Sequence, residues 1–288
     1  MIILIDAGNT RVKAGWIHPE TGERELTTVA FQHADLDQLT HWLDTLPTRP
    51  SSALGVNVAG ADVAETIDNI FSDHDCPTEW ITGEPQTLNV TNAYASPEQL
   101  GADRWLALVG LAQRPHPQSE HVDTTLCPLI LASFGTATTI DMLVVKKPSA
   151  QTDTDSIQYQ FPGGLILPGP ELMRSSLAEN TAHLPDANSS TTIYPTNTQQ
   201  SIASGVAAAQ AGAVLRQWLA ALEYYGLAPQ VFAAGGGWPL VKEEVIRLLH
   251  FTQGRLDLPT TPIEWLPAPA LDGLAALALQ LQQSKNPS

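Results

Sequence analysis

Asp6 ends an apolar run, Ile2 to Ile5, and is followed at once by Gly8, Asn9, Thr10, Arg11 and Lys13. A carboxylate at a strand end is poorly placed for a core. It is well placed for Mg2+, which takes one or two carboxylates together with phosphate oxygens. Gly8 lets the backbone approach a phosphate closely, and the N–H groups of Asn9 and Thr10 can point at it. Lys13 adds a point charge, and Arg11 alternates with it along the strand. The same residues also read as a plain β-hairpin with Asp6 capping its own turn, and this stretch alone divides evenly between the two. It is not a Walker A motif, since no GxxxxGK[ST] occurs in the chain.

A second turn of the same kind, "SFGTATTID", begins at Ser133. "ILIDAGNTRVKAGWI" and "ILASFGTATTIDMLV" superimpose at a constant offset of 127 residues, Gly8 on Gly135 and Asp6 on Ser133. Gly135, Thr136, Thr138 and Thr139 offer hydroxyl and backbone donors to the other side of a triphosphate, although threonines also suit any strand. Two halves with the same supersecondary start predict a cleft with one turn on either side.

Between the turns lies "LGADRW", 100–105. Asp103 and Arg104 fall in the first turn of an expected helix, where the macrodipole favours an ionised acid. A carboxylate there can orient and deprotonate a substrate hydroxyl while the guanidinium grips a substrate carboxylate. An N-terminal Asp beside a surface Arg is the bland alternative. Gly235, Gly236 and Gly237 open a strand–helix turn where a flat base or ribose could lie, a weak signal without GxGxxG. None of the eight histidines has metal-ligand spacing.

The elements expected to position these residues follow from periodicity. Strands are expected at 2–6, 11–17, 25–31, 53–58 and 78–81, with helices at 35–46, 59–74 and 101–114. A polar, Pro-rich stretch at 115–128 is the best boundary, giving domains 1–120 and 121–288, the final helix free to pack back on the N-terminal half. Beyond it come two strands in 129–145, a polar hairpin tip at 148–158, a strand and Gly/Pro loop before a helix from Pro170, and a loop at 185–198. A long helix at 199–225, a strand at 230–234, a helix to 250, a strand at 263–266 and a helix at 270–283 complete the chain. The small residues of "IASGVAAAQAGAV" suit close helix packing, inside the chain or across a dimer seam.

The net charge of −16 argues against a nucleic-acid partner, because such binding rests on neutralising phosphates. An anionic ligand therefore needs a locally positive site. No apolar stretch reaches the ~20 residues of a membrane span, and the start reads as a strand rather than a signal peptide. Cys76 and Cys127 are far apart and suggest neither metal site nor disulfide, which fits a reduced, cytoplasmic setting.

In order along the chain, "DAGNTRVK", "YASPEQLGADRW", "SFGTATTID", "FPGGLILPGPELM", "NTAHLP" and "AAGGGW" closely resemble the type III pantothenate kinases, the family that includes the Bvg accessory factor proteins. The resemblance implies an α/β protein of the acetate and sugar kinase/Hsp70/actin fold, two ribonuclease H-like halves around an ATP cleft, assembled as a homodimer. It implies ATP-dependent phosphorylation of pantothenate, the first step of coenzyme A synthesis. Asp6, Ala7, Gly8, Asn9, Thr10, Arg11, Val12 and Lys13 would bind ATP phosphates, with Asp6 near Mg2+ and Thr136 contacting ATP from the other half. Asp103 would be the general base. Tyr94, Gly101, Ala102, Asp103, Arg104 and Thr181 would bind pantothenate, Thr181 from the dimer partner. Many family members carry Asp, not Ser, at the position of Ser133, where it holds K+ or NH4+. Serine brings no charge, so such an ion is either held more weakly through carbonyls or dispensable. Two other readings remain: an ATP-binding regulatory accessory protein on the same fold, and a kinase for another small hydroxyl acceptor.

Overall fold

The structure is a computed structural model that describes residues 1–25, 27–115, 126–146, 157–186 and 189–285. In chain order its elements are β1 (Ile2–Ala7), β2 (Arg11–Ile17), β3 (Val29–Gln32), α1 (Gln38–Asp44), β4 (Ser52–Asn57), α2 (Ala61–Ser72), β5 (Thr78–Trp80), β6 (Gln86–Thr87), β7 (Val90–Asn92) and α3 (Ala102–Ala112). There follow β8 (Leu129–Phe134), β9 (Ala137–Val145), β10 (Tyr159–Pro168), α4 (Pro170–Asn180), α5 (Thr198–Tyr225), β11 (Gln230–Ala234), α6 (Trp238–Arg255), β12 (Glu264–Trp265) and α7 (Pro269–Lys285). The chain divides into two compact units. One comprises Met1–His116, Lys146–Phe161 and Ala268–Ser288, the other Pro117–Val145 and Pro162–Pro267. The expected boundary at residue 120 lies outside the described residues, as does most of the expected hairpin tip at 148–158.

The first unit is built on a sheet of order β3-β2-β1-β4-β5, with β2 antiparallel to both neighbours and β4 and β5 parallel to β1. Side chains alternate along a strand. Ile3, Ile5 and Ala7 therefore share one face, where they pack with Leu39 and Leu43 of α1 and Ile67 and Phe71 of α2. Leu4 and Asp6 point to the opposite face, the side on which α3 and α7 pack. Alternation thus aims the Asp6 carboxylate toward the side of α3, whose first turn carries Asp103.

α3 is held by a close helix crossing. A Cβ on Gly273 of α7 would stand 1.9 Å from the Leu106 carbonyl oxygen, and one on Gly110 would stand 2.5 Å from the Pro269 carbonyl oxygen. Both contacts are backbone, so neither can yield by rotating a side chain. Leu271 and Leu274 of α7 are fully buried beside Trp105, Leu106 and Leu108 of α3, each contributing about 1.5–3 kcal/mol by leaving water. Arg24 also clamps α7, with Nη1 2.6 Å from Asp272 and Nη2 2.6 Å from Glu25. Gly273→Ala is expected to destabilise the protein by about 2 kcal/mol or more through overpacking, read as a lower denaturant midpoint. An unchanged midpoint would show that the crossing has slack.

Five strands of the second sheet, seven in all, run in the order β12-β11-β8-β9-β10. Set β8 to β12 against β1 to β5 and the two orders coincide, with the same antiparallel hairpin and the same parallel neighbours. Ile130, Ala132 and Phe134 repeat Ile3, Ile5 and Ala7, packing on Trp218 of α5 and Trp238, Val241 and Val245 of α6. The repeat is not uniform. Ala7 pairs with Val12, but Phe134 pairs with Thr138, so the second turn is one residue tighter and the constant offset ends there.

β6 and β7 were not expected, and α6 runs on to Arg255 rather than 250; two further elements differ for reasons the contacts show. The third strand starts at Val29 rather than residue 25, because the Glu25 carboxylate lies over Gly15 and accepts the Trp16 N–H at 2.8 Å. The Glu25 N–H still reaches the Trp16 carbonyl, at 3.4 Å, but the return bond goes to its side chain. β10 runs through Gly163 and Gly164 to Pro168, leaving only Gly169 before α4 where a longer loop was expected. Gly163 has φ 138°, and a Cβ at Gly164 would collide with the Asp141 carboxylate at 2.1 Å. The glycines here sustain a strand. Among the described residues no helix is long and apolar enough to cross a membrane.

Candidate active site

The first turn closes with the Gly8 N–H donating to the Arg11 carbonyl at 3.1 Å. Asn9, Thr10 and Arg11 are exposed and Gly8 half-buried, whereas Ala7 and Val12 are fully buried in the apolar core. Any role of Ala7 and Val12 toward a ligand is therefore confined to their backbone. Asp6 sits directly opposite Lys13 in the antiparallel register, which puts both side chains on one face. Burial pushes the Asp6 carboxyl up to about 6; Lys13 pulls it back and the nearby Asp103 charge pushes it further. Asp6 keeps a minor part of its surface exposed, yet protein atoms hem the carboxylate closely enough for desolvation to outweigh the lysine.

Asp103 gains its position from the start of α3. Its Oδ1 accepts the Arg104 N–H at 2.8 Å, and a Cβ on Gly101, the residue before the helix, would come within 2.7 Å of that oxygen. Gly101 thus leaves the room in which the carboxylate sits. The Gly101 carbonyl in turn accepts the Trp105 N–H at 3.0 Å, closing the first helical turn, and Ala102 is half-buried beside it. Burial raises the Asp103 carboxyl above its ordinary value, against the Arg104 N–H and guanidinium, which lower it. The helix start alone favours the ionised acid and so a lowered value; desolvation outweighs it. Arg104 Nη1 lies 3.4 Å from the Tyr94 hydroxyl. Tyr94 is fixed by its N–H donating to Asn92 Oδ1 at 3.0 Å and by its ring 5.3 Å from that of Phe161. The first unit therefore gathers Asp6, Lys13, Asp103, Arg104 and Tyr94.

In the second unit Gly135, Thr136 and Ala137 form an exposed turn, with the Gly135 N–H donating to the Ala137 carbonyl at 3.1 Å. The turn rests on Gly169, whose N–H donates to the Thr136 carbonyl at 2.9 Å and whose missing Cβ would meet the Gly135 oxygen at 2.0 Å. Gln210, fully buried on α5, donates Nε2–H to the preceding Pro168 carbonyl at 2.8 Å. Ser133 is half-buried on the sheet face away from α5 and α6. Asp141, 1% exposed, shares that face through the pairs Ser133–Thr139 and Leu131–Asp141. Sequence reasoning passed over this buried carboxylate because it reads as the end of a threonine-rich strand.

Of the three glycines before α6, Gly235 (φ 88°) and Gly237 are needed for packing on the Phe134 backbone, and Gly236 is exposed. Thr181 is exposed at the end of α4, donating its hydroxyl to the Leu177 carbonyl at 2.7 Å. A cavity of about 830 Å³ lies between α4 and α5 and is lined by Leu172, Met173, Leu177, Ile202 and Val206 with no charged residue. Ser176, Thr198 and Ser201 are its hydroxyl-bearing residues, and it holds no group that titrates near neutral pH.

Among the described residues no three His, Cys, Asp or Glu side chains gather as a metal cage. A magnesium ion carried by phosphates needs only one or two carboxylates. Asp6, a carboxylate near the end of β1 and beside the turn, offers one such ligand.

The family profile described as type III pantothenate kinase matches residues 2–220. A type III pantothenate kinase from Bordetella pertussis is 49% identical over 285 residues, covering 97% of this chain and 98% of that relative. One from Aromatoleum aromaticum is 38% identical over 259 residues, covering 89% and 93%. Two solved structures share the fold at low identity. A Sinorhizobium meliloti protein described as a 2-dehydro-3-deoxygalactonokinase has a TM-score of 0.51 at 14% identity, covering 100% of this chain and 98% of that one. A Campylobacter jejuni protein described as a Baf family transcriptional activator has a TM-score of 0.50 at 16% identity, covering 98% and 99%. The duplicated strand order thus belongs to a sugar-kinase type of fold, and the profile together with the two sequence relatives narrows it further: this chain belongs to the type III pantothenate kinase family.

Proposed function

We propose that the protein transfers the γ-phosphoryl group of ATP to the primary hydroxyl of pantothenate, giving 4'-phosphopantothenate, the first committed product on the way to coenzyme A. The observation that carries this reading is the start of α3, where the Asp103 carboxylate is electrostatically coupled to Asp6 and is followed by Arg104 against Tyr94. A switch that only binds nucleotide has no use for an acceptor site of this kind.

In the proposed roles, the first turn from Asp6 to Lys13 holds the ATP phosphates, through the Gly8–Thr10 backbone and the Lys13 ammonium. Asp6 would hold Mg2+ together with phosphate oxygens, and the ion would supply neutralisation of the phosphate charge. Thr136 contacts ATP from the second unit, and the shared strand order supports reading the two units as ribonuclease H-like halves. Gly101, Ala102, Arg104 and Tyr94 hold pantothenate, with the guanidinium on its carboxylate. Asp103 orients the hydroxyl and takes its proton, late in a loose transition state that needs little pull on the nucleophile. We place the reaction in the cytoplasm, consistent with the free thiols of Cys76 and Cys127, with neither nucleic acid nor membrane as partner.

A homodimer is part of the same reading. A Cβ at Gly205 or Gly212 on α5 would meet nothing within 4 Å, and the apolar groove beside Gly205 exposes Leu172 at 45%. Thr181 would then serve the partner's pantothenate site. The monovalent cation is proposed as dispensable, because Ser133 brings only a hydroxyl.

The test is an ATP-dependent assay with pantothenate in sodium alone and with added potassium or ammonium. Phosphopantothenate is expected in all three, with the added ions changing the rate little. No product in any of them overturns the proposed function. Product only with potassium or ammonium restores the cation requirement despite Ser133.

A further inference from the structure

His33 was one of eight histidines without a spacing signal, yet its Nε2 lies 2.9 Å from the Gly8 carbonyl oxygen. A carbonyl only accepts, so the ring donates Nε2–H, as the neutral Nε2 tautomer or as imidazolium. The residue reaches this position because Gln32, the end of β3, pairs with Arg11 at the start of β2. The sheet delivers the next residue to the side of the turn.

What that bond controls follows from peptide geometry. The Gly8 carbonyl and the Asn9 N–H belong to one planar trans peptide and point in opposite directions. Fixing one fixes the other. The Gly8 N–H is already spent on the Arg11 carbonyl. Among the described residues nothing accepts the Asn9 N–H, and Asn9 itself is exposed. Glycine gives the adjoining peptide unusual freedom to rotate, so the turn needs an external hold to keep one orientation.

We propose that His33 is a positioning residue for the ATP phosphates: by donating Nε2–H to the Gly8 carbonyl it locks the Gly8–Asn9 peptide with the Asn9 N–H turned outward for a phosphate oxygen. This rests on reading the first turn as the phosphate site. His33 itself touches neither phosphate nor pantothenate.

The experiment is calorimetric titration of Mg-ATP into the full-length protein and three variants, with thermal melts and the KM for pantothenate alongside. His33→Leu, which cannot donate, is expected to weaken Mg-ATP by about 3- to 10-fold, the range of one net hydrogen bond. The KM for pantothenate stays unchanged. His33→Gln places an amide N–H where Nε2 was and restores affinity to within twofold. His33→Asn has the same polarity but falls short of Gly8 and behaves as His33→Leu. The Gln and Asn pair decides the matter even if the leucine variant does not fold. Equal affinity of the Gln and Asn variants, or a leucine variant within twofold of the parent, overturns the proposal. A parent that binds Mg-ATP without phosphorylating pantothenate refutes the proposed function while leaving the affinity ratios to judge His33. A parent that does not bind Mg-ATP refutes both.

Discussion

Asp103→Asn is expected to lower kcat by about 10²- to 10⁴-fold, the range for loss of a general base, while Mg-ATP affinity holds and the melting temperature does not fall. Asparagine keeps the size of the group, and its carbonyl oxygen can still accept the Arg104 N–H that Asp103 accepts at 2.8 Å. It also suits the pocket left by Gly101. What it loses is the capacity to take a proton. Because burial raises the Asp103 carboxyl, the parent is a somewhat stronger base than an exposed Asp. Its activity should fall on the acid side as that carboxyl protonates, and the residual activity of the variant should lack this limb. Turnover near the parent's level in a coupled assay would take Asp103 out of the role.

Asp6→Asn should separate stability from activity in the metal-free protein. The folded carboxyl titrates at about 6 against an ordinary 3.8, because burial disfavours its charge. A raised acid pKa means the folded chain holds a proton that the unfolded chain has already released. The ionised group therefore costs stability in full above about pH 6, and the cost fades as pH falls toward 4. A shift of this size corresponds to roughly 2–3 kcal/mol. The variant is expected to be more stable than the parent at pH 7 by about that amount, and level with it near pH 4, in denaturant melts without magnesium. Its affinity for Mg-ATP should drop by about 10- to 100-fold, as for loss of a charged partner. A variant less stable than the parent at pH 7 would show that the Asp6 anion is already compensated within the chain.

These residues were legible because phosphate chemistry and strand geometry leave local marks. A carboxylate at a strand end, a glycine and then small polar residues lie within a few positions of one another, and the second turn repeats them. Asp103 and Arg104 were legible for the same reason, being neighbours at a helix start. Contacts made across the sequence were not. His33 reaches Gly8 from the far end of a neighbouring strand, and no spacing rule ties a histidine to a carbonyl 25 residues away. Glu25 was expected in a strand because Thr27, Thr28, Val29 and Phe31 after it suit one, yet its carboxylate takes the Trp16 N–H. The fit of Gly110 to Gly273 was invisible for a related cause, since each glycine alone is an ordinary helix residue. Asp141 looked like one more polar strand position, and only the register places it on the face of Ser133.

The close seat of α7 on α3 bears on how the protein is made. Translation delivers β1, the first turn and α3 early, but the surface that covers α3 emerges only with Pro269 and the residues after it. Until then Trp105, Leu106 and Leu108 lack a full cover, and the carboxylate at the head of their helix has no fixed seat. A stop codon or frameshift just before Pro269 would leave the entire second unit intact, yet it would disable the first, the part synthesised long before.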